Sequence, residues 1–336
     1  MRRVSTLAAA VTLVAASAAA GGAPCSPLAV VTRERLLVVA PHPDDETLVA
    51  GGLVQRVLDR GGSVRVALVT AGDGYVAAVI RATGLSRPHP VQYIAYGERR
   101  LKEARGAMHV LGRGKIRLEV LAFPDGGLAQ LLHAYWAQGH PEPSATTGAR
   151  KPPYREALER GIAYDGADLR RELVHVLRET RPTMVVLPDP LDRHPDHRAT
   201  GLFTLLALQS WSRDGVPMPR LLAYLVHWPD WPPGWNAPSP APGAPVAALE
   251  LPERLPLRGT DCTVLALTDA ELRAKSDALA RYASQQEATP YFLGAFVRRT
   301  EPFTIFTPRA VARVDQLVER HLLKLDRRRR GPPGTG

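Results

Sequence analysis

Leu36-Leu37-Val38-Val39-Ala40 runs directly into Pro41-His42-Pro43-Asp44-Asp45-Glu46, and an amphipathic stretch follows to about residue 60. Five consecutive apolar residues ahead of a Pro-x-Pro turn read as a strand buried on both faces, and the stretch after them as a helix from about residue 45. The same alternation recurs downstream. Gly61-Gly62 turns the chain into a second strand at 63–70. A helix is expected over 96–112, with Ala104, Met108 and Leu111 on one face and Gly112 as its stop. Further strands are expected at 115–121, 183–188 and 221–226, with helices at 167–178 and 198–212. Continuously apolar strands alternating with helices predict an α/β fold, a mainly parallel sheet with helices on both faces. The ligand site of such a sheet lies beyond the carboxyl ends of its strands. Two histidine motifs fall there: His42 follows Val38-Val39-Ala40, and His194 follows Met184-Val185-Val186-Leu187.

At 336 residues, 45% hydrophobic and 23% charged, the chain has the length and composition of a folded protein with a sizeable core. A single domain is expected over 30–310, decorated by Pro-rich loop insertions, since prolines cluster at 141–153 and 217–256. The net charge of +10 raises a nucleic-acid partner, but Arg2, Arg3 and the four arginines at 327–330 carry six of those charges. The body is then unremarkable and no nucleic acid is expected. Met1-Arg2-Arg3, an Ala/Val/Leu-rich run over 7–20 and Ala18-Ala19-Ala20 read as a signal peptide at 1–20, so export is expected. That run is too short to span a bilayer, and no transmembrane segment is expected in the mature chain. Residues 326–336 read as a basic disordered tail. Cys25 and Cys262 are too few for a thiolate metal site; they form one bridge after export, or Cys25 stays unpaired near the mature N-terminus.

The two motifs carry the chemistry. His42-Pro43-Asp44-Asp45-Glu46 packs an imidazole and three carboxylates into one strand-to-helix turn, where Pro43 keeps the backbone extended. One acid there would suffice as a helix cap; the histidine and the surplus acids remain unexplained by capping. His194-Pro195-Asp196-His197 sets two histidines three apart around an acid. Catalytic zinc takes three N or O donors and leaves a position open for water. His42, Asp45 and His197 meet that count, although such donors also suit other divalent ions. The metal would lower the pKa of its water to about 7. Asp44 is then the natural general base, and His194, oriented by Asp196, the imidazolium that stabilises the oxyanion or protonates the departing amine.

In this order the PHPDDE and HPDH motifs resemble those of the PIG-L/LmbE family of zinc-dependent N-deacetylases. Further likenesses are Thr70-Ala71-Gly72-Asp73-Gly74, Arg100-Leu101-Lys102-Glu103, Phe123-Pro124-Asp125-Gly126, the late helix from Lys275 through Tyr282 to Gln285, and a final strand at 298–303. Together they span roughly residues 35–305. The resemblance implies an LmbE-like, Rossmann-like sheet and removal of an acetyl group from an N-acetylglucosamine-containing substrate, an N-acetylated amino sugar or glycoconjugate. It implies His42, Asp45 and His197 as zinc ligands, Asp44 as base, His194 held by Asp196 as the electrostatic and acid partner, and Arg100 and Asp125 on sugar hydroxyls. The longer stretches at 75–96 and 130–165 are more like the exported branch. Asp192 stands where some members have a tyrosine near the oxyanion, which leaves the second oxyanion donor open.

Two other readings compete: a zinc amidase acting on a non-sugar amide, and a secreted glycan-binding protein that keeps the fold without turnover. Of the loop aromatics Tyr135, Trp136, Trp228, Trp231 and Trp235, Trp228-x-x-Trp231 beside His227 is the strongest candidate for stacking on a sugar.

Overall fold

The computed structural model describes residues 25–238, 246–253, 255, 261–316 and 318. The expected signal peptide at 1–20 and the basic tail at 326–336 lie outside the described residues.

Eight strands form one sheet: β1 (Ser26–Pro27), β2 (Arg35–Ala40), β3 (Ser63–Thr70), β4 (Ile116–Phe123), β5 (Met184–Pro188), β6 (Arg220–Tyr224), β7 (Cys262–Ala266) and β8 (Thr300–Phe306). Their spatial order is β1-β7-β8-β6-β5-β2-β3-β4. The run β6-β5-β2-β3-β4 is parallel, whereas β8 is antiparallel to both β6 and β7. The chain steps outward from β2 to β3 and β4, then returns to lay β5 on the other side of β2, with Leu36 opposite Met184 and Val38 opposite Val186. This reversal leaves a crevice at the carboxyl ends of β2 and β5. Both histidine motifs open there, on adjacent strands.

The helices are α1 (Asp45–Asp59), α2 (Val76–Thr83), α3 (Pro90–Gly112), α4 (Leu128–Leu131), α5 (Gly166–Thr180), α6 (Pro195–Ser212), α7 (Asp269–Leu279), α8 (Ala283–Ala288) and α9 (Pro308–Ala312). Successive strand side chains point to opposite faces. Leu36, Val38 and Ala40 therefore join the core under α1, α3 and α7, while Leu37 and Val39 join the core under α5 and α6. Each such side chain contributes roughly 1.5–3 kcal/mol of burial, which is why β2 and β5 carry no polar residue along their middles.

Some boundaries differ from the sequence reading. Residues 76–83, for which no element was expected, form α2, and α3 starts at Pro90 rather than near 96. Pro90 sits where a missing N–H costs nothing, and Gln92 Oε1 accepts from the His89 N–H at 2.7 Å. The late helix divides into α7 and α8, with Tyr282 between them, and the final strand runs over Thr300–Phe306 rather than 298–303. Within the Pro-rich stretch 217–256, the strand expected at 221–226 is present as β6. Cys25 and Cys262 are joined by a disulfide with Cα atoms 4.7 Å apart, which fastens the start of β1 to β7. Among the described residues no helix is long and apolar enough to cross a membrane.

Candidate active site

Asp44 is the pivot between β2 and α1. Its φ of 135° lies in a region that non-glycine residues rarely adopt. Such strain persists only where the surroundings over-determine it. Here the Asp44 N–H donates to Glu46 Oε2 at 3.1 Å, the Asp44 carbonyl accepts from Thr47 and Leu48 N–H at 2.9 Å, and Arg100 Nη2 donates to the Pro43 carbonyl at 2.8 Å. Glu46 is fixed in turn by the Tyr282 hydroxyl, which also meets Thr47 Oγ1 at 2.9 Å. The strained turn sends Asp44 and Asp45 to different neighbours. Asp44 Oδ2 accepts from Arg100 Nη2 at 3.0 Å, whereas Asp45 Oδ2 lies 3.3 Å from His42 Nδ1 and 3.2 Å from His197 Nε2.

The donor set fits a divalent ion. His42 Nε2 faces two carboxylates, Asp125 Oδ1 at 3.2 Å and Asp196 Oδ2 at 3.4 Å, so its proton belongs on Nε2 and the Nδ1 lone pair is directed at Asp45. His197 Nδ1 faces Asp192 Oδ2 at 3.5 Å, and Nε2 points toward Asp45. Both His197 ring nitrogens are buried, and neither makes a hydrogen bond of acceptable geometry. Deprotonated, these two nitrogens would aim lone pairs at one carboxylate oxygen 3.2–3.3 Å away, an arrangement that a cation seated among them would complete. About 3.3 Å is also the separation of neighbouring ligands on a tetrahedral zinc. His194 also lies near, within the cluster formed with His42 and His197. Its Nδ1 accepts the Asp196 N–H at 3.2 Å as the N-cap of α6. A neutral ring then keeps its proton on Nε2 and has no lone pair left for a metal. The fitting set is His42, Asp45 and His197.

The geometry bears on three expectations. First, the carboxylate of Asp196 does not orient His194. It accepts from Gly126 N–H at 2.7 Å and Leu128 N–H at 3.2 Å and turns to His42, while only its backbone N–H reaches His194. Second, the His194 ring is placed as a hydrogen-bond acceptor, its Nδ1 taking the Asp196 N–H. Burial first, then the neighbouring His42, His197 and His227, hold its pKa far below the ordinary value. Third, Arg100 and Asp125, expected on sugar hydroxyls, both border the cavity and both also bond to protein. Arg100, 4% exposed, donates to Gly72 O, Pro43 O and Asp44, and Asp125 Oδ2 accepts the Gly74 N–H at 2.6 Å. A side chain at Gly72, φ 71°, would drive its Cβ to 2.1 Å from Arg100 Nη1, so only glycine fits beneath the guanidinium.

Burial pushes the Asp44 carboxyl above its ordinary range, against the pull of Arg100. Asp44, Asp45, His42 and His194 border a cavity of about 370 Å³, whose other wall includes Tyr75, Val226, His227 and Phe292. Asp192 is fully buried: Oδ1 accepts from His194 N–H at 2.8 Å, and Oδ2 from Val226 and His227 N–H at 2.8 and 3.1 Å. It aligns the loop rather than facing the cavity. His227 itself, with its ring 5.1 Å from His194 and 4.8 Å from His197, was not among the expected site residues. A lone histidine past a strand end gives no spacing signal. Of the aromatics, Trp231 is core and donates Nε1–H to Glu250 O, Trp136 stacks on Phe203, and Trp228 lies under Arg193. Only Trp235 stays exposed, 6.5 Å from Phe292 at the cavity wall.

The family model described as PIG-L: GlcNAc-PI de-N-acetylase matches residues 37–208. A 1D-myo-inositol 2-acetamido-2-deoxy-alpha-D-glucopyranoside deacetylase of Rhodococcus jostii is 29% identical over 287 residues, covering 77% of this chain and 84% of the relative. The diacetylchitobiose deacetylase of Thermococcus kodakarensis is 28% identical over 192 residues, 55% of this chain and 51% of the relative. Among solved structures, a conserved protein of Thermus thermophilus is 24% identical at a TM-score of 0.46, covering 82% of this chain and 95% of that one.

Proposed function

The chain belongs to the PIG-L family of de-N-acetylases and is a hydrolase of an amide bond, and on that premise we propose that it deacetylates an N-acetylglucosamine-containing substrate with a divalent metal held by His42, Asp45 and His197. The observation that carries this reading is Asp45 Oδ2 lying 3.3 and 3.2 Å from one nitrogen of each histidine, with Asp44 beside it on the cavity. The names of both relatives, an acetamido-glucopyranoside deacetylase and a diacetylchitobiose deacetylase, support the sugar. Nitrogen and carboxylate donors without thiolate suit zinc and admit other divalent ions.

The ion, when bound, supplies Lewis acidity that polarises the acetamide carbonyl and makes water a better nucleophile. The residues do the rest. Asp44, its carboxylate oriented by Arg100, takes one proton as the water oxygen bonds to the carbonyl carbon and the C=O electron pair moves to oxygen. His194, a neutral ring with its proton on Nε2, donates a hydrogen bond to that oxygen. When the C–N bond breaks, the nitrogen keeps the bonding pair and takes the proton from Asp44. Acetic acid and the free amine leave, and the base is restored. Asp125 and Asp196 hold the His42 ring so that Nδ1 stays available.

We read residues 30–310 as the catalytic domain and the chain as exported. The Cys25–Cys262 bridge supports export, because such bonds persist in oxidising compartments. N-terminal sequencing of secreted protein should begin near residue 21, and a cytoplasmic chain with an intact N-terminus removes that part of the reading.

The activity is tested with zinc-loaded protein by acetate release from N-acetylglucosamine and diacetylchitobiose, beside N-acetyl amino acids of similar size. Faster release from the sugars supports the proposal. Faster release from the amino acids replaces it with the amidase reading, and sugar binding without any release replaces it with a glycan-binding protein.

A further inference from the structure

We propose that His227 is a catalytic residue, a second hydrogen-bond donor to the acetamide oxygen as water adds to the carbonyl carbon. The inference rests on the deacetylase reading above and names the donor that Asp192, turned away from the cavity, does not supply.

Hydrolysis of an amide puts negative charge on the carbonyl oxygen, and each preorganised donor there is worth about 10²–10³ in rate. Few donors bordering the cavity are uncommitted. Arg100 Nη1 and Nη2 are bonded to Gly72 O, Pro43 O and Asp44. The Gln285 amide donates to Tyr96 and Ser284, and the Thr289 hydroxyl to Gln285 O. Tyr75 is 38% exposed. Besides the buried Arg100 Nε and the exposed Tyr75 hydroxyl, that leaves the imidazoles of His194 and His227, side by side on one wall at a centroid distance of 5.1 Å.

His227 is built to stay there. Its N–H donates to Asp192 Oδ2 at 3.1 Å and its carbonyl accepts from Arg193 N–H at 2.9 Å. Both ends of the residue are thus tied to the loop that bears His194. Its ring stacks on Phe292 with centroids 5.5 Å apart and planes at 10°, and Phe292 is braced by Phe296 and Trp235. The ring nitrogens of His227 make no hydrogen bond among the described residues, and His227 is outside both clusters of candidate metal donors. It is close to the metal donors, held rigidly, and has a polar edge left over for substrate.

The test compares zinc-loaded wild type, His227→Ala and His227→Gln. Expected for His227→Ala is a kcat lower by about 100-fold, a KM within about threefold and unchanged zinc content. His227→Gln, which restores an N–H, should recover part of the loss. Binding of a methylphosphonamidate analogue of N-acetylglucosamine, whose tetrahedral oxygens mimic the charged oxygen, should weaken by the same factor as kcat/KM, while binding of glucosamine should not change. A merely structural role would move zinc content, melting and glucosamine binding together, and that result overturns the proposal. Equal kcat for wild type and His227→Ala overturns it while leaving the deacetylase reading intact; a wild type that releases no acetate from any sugar overturns both.

Discussion

Two polar clusters, each around a buried carboxylate, cap the same central strands at opposite ends. At the amino end of β2, the carboxylate of Glu34 accepts from the Thr183 hydroxyl, from Arg220 Nη2 at 2.6 Å and from Val31 N–H at 3.4 Å. Thr183 Oγ1 also accepts the Arg35 N–H at 2.9 Å. Every group there has a partner inside the cluster. At the carboxyl end, Asp45 Oδ2 faces one ring nitrogen of each of two histidines, His197 has no proper hydrogen bond, and a cavity opens over Asp44. Both ends bury a carboxylate, Glu34 at one and Asp45 at the other. Burial of charge therefore does not mark function; what marks it is polar atoms that converge without satisfying one another.

The comparison is broken or sharpened by substitution. The largest effect is expected for Asp44→Asn, which keeps the shape of the turn and removes the base: kcat should fall by about 10²–10⁴ with zinc retained. Asp196→Asn should lower zinc affinity by about 10–100-fold in competition with a chelator, because the His42 ring loses a carboxylate behind Nε2. Glu34→Gln, at the closed end, should leave kcat within about twofold while costing about 1–3 kcal/mol in urea unfolding, since it weakens charge-assisted bonds. A tenfold fall in kcat for Glu34→Gln would erase the distinction between the two ends.

Glu172 on α5 is a smaller and different case. Neither of its carboxylate oxygens has a hydrogen bond, yet no histidine motif converges on it. Burial pushes its pKa up to about 8 from an ordinary 4.5. The folded state keeps a proton that the unfolded chain releases, so the stabilisation is complete below about pH 4.5 and is lost as pH rises toward 8. Glu172→Gln should then raise stability by about 1–2 kcal/mol at pH 8 and change little at pH 4.5, read from melting curves at the two pH values. An equal gain at both pH values would assign the effect to packing instead.

The fold was legible wherever strand composition was decided by two-sided burial. Val38-Val39-Ala40 and Val185-Val186-Leu187 have to satisfy both cores, and no helix surface asks that of five residues in a row. Helix starts were less legible. The first turns of α3 and α6 open on Pro90 and Pro195, which read as turn residues as readily as helix starts. In the site, residue type and spacing singled out His42, Asp44, Asp45 and His197, and the fold brings their side chains together. The pairing of carboxylates with rings did not. Asp125 reaches His42 from the end of β4, and Asp196 reaches it from β5's side, across neighbouring strands. Such direction is set by tertiary packing rather than by neighbours in sequence. His227 was singled out only as the neighbour of Trp228 and Trp231, because its companions His194 and His197 come from another strand end.

The central claim is that Asp45, and not His194, completes the metal site with His42 and His197. Zinc content per chain, measured after reconstitution and desalting, tests it directly in wild type, Asp45→Ala and His194→Ala. The predicted result is about one zinc per chain in wild type and His194→Ala, and almost none in Asp45→Ala. Zinc lost from His194→Ala but kept by Asp45→Ala would contradict the account.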